Sequence, residues 1–148
     1  MASPASAKDV RANGVERVPA FIYLCNMATE GECLDRMLFG TNAGDSYSGL
    51  AVGDRVFLYN YEFGILRGPF VATTKSTPNL VPGAWKKSKG RFPWQIRVDG
   101  SDAFKTPMGA DDVAAIIPLS QTKVGLLPPL ELTDEQAEQL LSAMSGIQ

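Results

Sequence analysis

The sequence RVFLYNYEFGILRGPFVA, residues Arg55–Ala72, reads as two strands joined by a tight turn. β-branched, aromatic and aliphatic residues fill Arg55–Tyr61 and Ile65–Ala72, and Glu62-Phe63-Gly64 supplies the turn between them. Ala51-Val52-Gly53-Asp54 forms the turn that leads in. Upstream, AFIYLC at Ala20–Cys25 is continuously apolar, as a strand buried on both faces must be. Thr29 and Glu32 then fit a capping box, and Cys33, Leu34, Met37 and Leu38 follow at helical spacing. That predicts a short helix ending near Leu38, with Gly40 as its stop. Residues 40–49 and 73–84 read as loops, the second carrying Pro78 and Pro82.

Downstream, Phe92–Val98 reads as a strand. Its alternation places Phe92, Trp94, Ile96 and Val98 on one side and Gln95 and Arg97 on the other. Val113–Leu119 is a further strand candidate, and Leu126–Leu132 is an apolar run broken by Pro128-Pro129. Thr133 and Gln136 form a second capping box, after which Ala137, Leu140, Leu141 and Met144 line one face of a C-terminal helix. The sum is an α+β chain. Five or six strands with flanking helices predict a small mixed β-barrel.

The chain has 148 residues, of which 45% are hydrophobic and 20% charged, the composition of one globular domain. Residues 1–18 lack hydrophobic periodicity and read as a flexible N-terminal arm, leaving 19–148 as a single domain. Fourteen basic and 16 acidic residues give a net charge of −2, and there is no histidine. The balance excludes a wholly basic nucleic-acid protein. The missing histidine removes the Ser-His-Asp and Cys-His machineries and the usual neutral-pH general base. Cys25 and Cys33 alone make neither a disulfide framework nor a zinc site, and read as reduced core residues. The adjacent Asp111 and Asp112 read as solvated acids, not metal ligands. We therefore expect no enzyme, no metal and no cofactor. With no apolar leader and no apolar membrane span, the expectation is an intracellular protein, cytoplasmic or nuclear.

Charge is unevenly spread. GAWKKSKGRFPWQIRV, Gly83–Val98, holds five of the 14 basic residues (Lys86, Lys87, Lys89, Arg91 and Arg97) and no acid. Interleaved with them are Trp85, Phe92 and Trp94. Cations meet phosphates and aromatic faces stack on bases, so the pattern is that of a binder of single-stranded or looped nucleic acid. Two readings stand for each aromatic, core or ligand contact, and the lysines read equally as a solvated face. Asn60 offers a donor and an acceptor to a base edge, or serves its own turn.

These stretches resemble the development and cell death domain. The matching segments are FIYLCN at Phe21–Asn26, ECLDRMLFG at Glu32–Gly40, VFLYNYEFGILRGPF at Val56–Phe70, NLVPGAW at Asn79–Trp85, RFPWQIRV at Arg91–Val98 and LTDEQAEQLLSAM at Leu132–Met144. The same segments are similar to those of YTH and EVE domains, readers of modified bases within the PUA-like superfamily of small barrels. That resemblance implies a pocket for a methylated or flipped-out base. It places the YTH strand-end polar residue on Asn26, one cage tryptophan on Phe39 of Leu38-Phe39-Gly40-Thr41, and a second on Trp85. The third cage position falls near Ser88, or is supplied by Trp94. The expected pocket is thus Asn26, Phe39, Thr41, Asn60, Trp85 and Trp94, with Lys86, Lys87, Lys89, Arg91 and Arg97 as a phosphate-binding rim. The expected partner is DNA or RNA. The alternative is a protein-interaction module in stress or cell-death signalling, with a protein partner or a fused effector.

Overall fold

A computed structural model describes residues 10–11, 15–16, 20–85 and 92–148. Most of the arm assigned to 1–18 lies outside them. Its described part is a two-stranded ladder of β1 (Val10–Arg11) and β2 (Val15–Glu16).

Strand β3 (Ala20–Cys25) is followed by helix α1 (Met27–Arg36) and strand β4 (Leu38–Thr41). A 3-10 turn at Gly44–Tyr47 leads to the predicted hairpin, β5 (Arg55–Asn60) and β6 (Ile65–Ala72). Next come β7 (Thr77–Pro78), β8 (Trp94–Asp99), β9 (Met108–Gly109) and helix α2 (Ala110–Ala114). The chain closes with β10 (Ser120–Thr122), β11 (Gly125–Leu127), β12 (Glu131–Leu132) and helix α3 (Asp134–Ile147).

The main sheet runs β12-β3-β5-β6-β8-β4, with β7 also on β8 and β9 also on β6. β3 and β5 are parallel, so α1 and β4 form the crossover that a parallel pair requires. The remaining pairs are antiparallel. Alternation along β3 and β5 explains their continuous apolar character. Phe21, Tyr23, Val56 and Leu58 enter one buried cluster with Phe39, Phe70 and Ile96. Ile22, Phe57, Tyr59 and Leu66 enter a second, which α3 covers with Ala137, Leu140 and Met144. Both faces of these strands are buried, as in other sheets covered on each side.

Three expectations are corrected. First, α1 is capped by Asn26, not Thr29. The Asn26 side chain accepts the Thr29 N–H at 3.1 Å, and Thr29 Oγ1 accepts the Asn26 N–H at 3.1 Å. The helix ends at Arg36 with Met37 left-handed (φ 50°), so Leu38 and Phe39 are free to enter a strand. Second, Val113–Leu119 is not a strand. Val113 lies in α2, and Val113 and Ile117 are both fully buried. Third, the barrel is not closed by hydrogen bonds. β4 returns beside β3, yet no ladder joins them among the described residues. The second capping box is present as expected, with the Gln136 N–H donated to Thr133 Oγ1 at 3.1 Å and the Thr133 N–H to Gln136 Oε1 at 2.9 Å.

Candidate functional site

The seam between β3 and β4 holds a cavity of about 270 Å³, near the lower end of the ~300–1,000 Å³ typical of ligand pockets. Its walls come from the ends of these two strands, which do not pair with each other. Leu24, Cys25 and Asn26 close β3, and Gly40, Thr41 and Asn42 close β4. Tyr47, Tyr61 and Phe92 add aromatic surface, and Val124 and Leu130 complete the rim.

Local chemistry fixes the polar groups. Asn26 Oδ1 accepts the Thr29 N–H and Thr29 Oγ1, each at 3.1 Å. A backbone N–H is only a donor, so this bond sets the amide's orientation. Asn26 Nδ2 therefore faces Tyr61 and donates to its hydroxyl at 3.2 Å. That leaves one amide N–H on Asn26 and the O–H of Tyr61 as groups able to donate to a guest. Thr41 Oγ1 accepts the Ala43 N–H at 3.0 Å. Tyr47 is anchored behind the wall, donating to the Ile22 carbonyl at 2.6 Å and stacking on Tyr23 at 3.9 Å.

Of the expected pocket residues, Asn26 and Thr41 line the cavity. Phe39 does not. It is fully buried, edge-on to Phe70 at 5.0 Å, because its position on β4 turns it into the core. Asn60 is also fully buried, its Oδ1 accepting the Glu62 and Phe63 N–H groups at 3.0 and 3.1 Å. It shapes the β5–β6 turn. Trp85 is 3% exposed and stands one layer behind the cavity. Its indole packs edge-on against Phe92 at 5.4 Å and over Gly40, where an added Cβ would lie 2.6 Å from Cη2. The buried indole N–H lies by the Cys33 thiol, a weak acceptor, and makes no hydrogen bond with a described residue.

Trp94 is 37% exposed and is the cross-strand partner of Thr41. Directly opposed residues share a face, so Trp94 stands beside the cavity's Thr41 wall. Arg97 is exposed on β8, away from the cavity lining. Lys86, Lys87, Lys89 and Arg91 lie outside the described residues, although their flanking residues Trp85 and Phe92 belong to the layers of the cavity wall. Lining residues outside the expected pocket include Tyr47, Tyr61, Phe92, Val124 and Leu130. They come from five separate segments.

Both cysteines are buried and free. Burial pushes the Cys33 thiol up to about 12, and Cys25 is raised as well, by burial first and then by Cys33 and Glu30. Both are thiols, not nucleophilic thiolates, at neutral pH. Among the described residues no helix is long and apolar enough to cross a membrane.

The chain is thus a mixed-sheet α+β fold with a polar-ended aromatic cavity in its open seam. Comparison with known proteins gives the family. The model of the development and cell death domain matches residues 19–144, and the chain belongs to that family. The B2 protein of Daucus carota is 42% identical over 89 residues, which is 56% of this chain and 43% of that protein. The DCD domain-containing protein NRP-B of Glycine max is 38% identical over 89 residues, 56% of this chain and 27% of that protein. The matched stretch thus spans less than half the length of either relative. Among solved structures, a hypothetical protein from Leishmania major superposes with a TM-score of 0.63 at 11% identity, covering 89% of this chain and 98% of that one. The YTH domain of the Zygosaccharomyces rouxii MRB1 protein, in complex with N6-methyladenosine RNA, superposes with a TM-score of 0.57 at 11% identity, covering 89% and 92%. The fold is therefore YTH-like.

Proposed function

We propose that this chain is a non-catalytic nucleic-acid-binding module that takes one unpaired or flipped-out base, modified bases included, into the cavity between β3 and β4. The observation that carries the reading is the seam itself. Its walls are apolar and aromatic, and its floor offers two donors, from Asn26 and Tyr61, with the Asn26 acceptor already engaged. Such a site suits a flat ring whose edge carries acceptors. The yeast YTH domain of this fold was solved with N6-methyladenosine RNA, which supports a nucleic-acid guest. In sequence the basic segment Lys86, Lys87, Lys89 and Arg91 lies between Trp85, packed behind the cavity, and Phe92, which lines it, and in this reading it supplies the phosphate-facing rim. Trp94, exposed beside Thr41, offers a stacking face to the neighbouring base.

The test is a titration with short single strands of DNA and RNA. They carry plain adenine and cytosine, N6-methyladenine, 5-methylcytosine or 5-hydroxymethylcytosine. Saturable binding with a preference among them is expected. Asn26→Asp retains a capping oxygen but removes the amide donors, and should weaken binding by ~1–3 kcal/mol. If no strand binds at low salt, the reading fails and the protein-interaction alternative replaces it.

A further inference from the structure

The β10–β11 hairpin stands apart from the main sheet and, among the described residues, pairs with no other strand. Isolated two-stranded hairpins are marginal on their own, yet this one is braced at its tip. Thr122 Oγ1 accepts the Val124 N–H at 3.2 Å and donates to the Gly125 carbonyl at 2.7 Å. Gly125 adopts φ +119°, a conformation that side chains rarely allow. The brace and the glycine hold a two-residue tip, Lys123-Val124.

That tip has two unlike neighbours in sequence with one location in space. Val124 lines the cavity although it is 55% exposed. Lys123 is exposed and forms no ion pair with any described residue. Leu126, two positions further on in β11, is 48% exposed. An apolar side chain over a base cavity with a free cation next to it matches one nucleotide, in which base and phosphate are covalently joined. Lys123 lies 25 positions beyond the basic segment's last residue, Val98, so charge clustering along the chain did not reveal it.

We infer that the β10–β11 hairpin is the second jaw of this site: Val124 closes over the bound base while Lys123 meets a backbone phosphate of the same strand. The inference rests on the base-binding reading of the cavity. It adds a cation and an apolar contact from a segment remote in sequence from Lys86–Arg91.

The test compares wild type, Lys123→Gln and Val124→Ser, using the strand from the above panel that wild type binds tightest and the same strand made abasic at its central position. Both changes fall on exposed side chains, and circular dichroism confirms that the fold is kept. Lys123→Gln should bind both strands several-fold more weakly, with the log-log salt slope reduced by about 0.7, the value for one phosphate contact on a single strand. Val124→Ser should weaken only the strand that carries the base and leave the slope unchanged. If wild type binds while both variants match it in affinity and slope, the hairpin inference is overturned and the cavity reading stands. If wild type binds no strand, both are overturned.

Discussion

Trp85 shows how far a single residue's sequence context can mislead. It sits in a loop flanked by Pro82 and Gly83, has a left-handed backbone (φ 57°), and follows the pattern of a cage tryptophan. Its surroundings decide otherwise. Its backbone N–H is donated to Glu32 Oε2 at 2.7 Å, and the same carboxylate oxygen meets Arg36 Nε at 2.9 Å. Its ring fills the space that Gly40 leaves by having no side chain. The pairing of Gly40 with Trp85 spans β4 and a distant loop, so neither residue announces it locally. Trp85→Ala should then cost ~3–5 kcal/mol, the usual loss for truncating a buried large aromatic. A chemical denaturation midpoint measures it, and a variant as stable as wild type would show the indole to be dispensable to the core. Binding lost in that variant would report loss of packing, which is why Asn26→Asp is the better probe of the cavity.

At the scale of elements, signals that are local in sequence were legible and those set by a distant partner were not. The β5–β6 hairpin, β3 and the capped α3 follow from runs, turns and caps contained in a few consecutive residues. The apolar run Val113–Leu119 was ambiguous in kind, since short apolar runs fit a buried helix as well as a strand. Strand β8 departs from its expected alternation at two adjacent positions. Gln95, assigned to the outer side, is 3% exposed, while Trp94 faces outward. The inversion has a polar cause. The Gln95 side chain accepts the Val81 N–H at 2.7 Å and donates to the carbonyls of Val81 and Phe92 at 3.3 and 3.2 Å. One carboxamide thus ties together chain on both sides of the basic segment. Gln95→Leu, similar in size, leaves the Val81 N–H without its acceptor and should destabilise by ~1–3 kcal/mol. Equilibrium unfolding in urea checks this, and an unchanged midpoint would mean that the amide is satisfied without Gln95.

Over the whole molecule, the walls of the cavity were less legible in the sequence than the strands that carry them. Asn26 and Thr41 lie at the cavity, but Phe39, Asn60 and Trp85 belong to the packing behind it or to a turn. A cavity in an open seam is made by where strands stop pairing, and pairing across the chain leaves no local trace. The same dense packing has a measurable consequence for stability against pH. With no histidine, no side chain has its ordinary pKa near neutrality. The core instead holds weak acids in protonated form. Burial raises the Cys33 thiol to about 12 and pushes Cys25, Tyr23 and Tyr47 upward too. In the unfolded chain these groups ionise near their ordinary values, ~8.5 for Cys and ~10 for Tyr. Below those values both states hold the protons, and the groups contribute no slope. Above them the unfolded state releases protons that the folded state retains, so rising pH favours unfolding. Each group that ionises only on unfolding lowers stability by about 1.4 kcal/mol per pH unit. The urea midpoint, measured under reducing conditions, should therefore hold steady across neutral pH and fall progressively above about pH 9. Cys33→Ala should show a shallower alkaline decline, because one proton fewer is released. A wild-type midpoint that stays level to about pH 10.5 would show that these groups ionise in the folded core near their ordinary values, and that the core is wetter than its packing indicates.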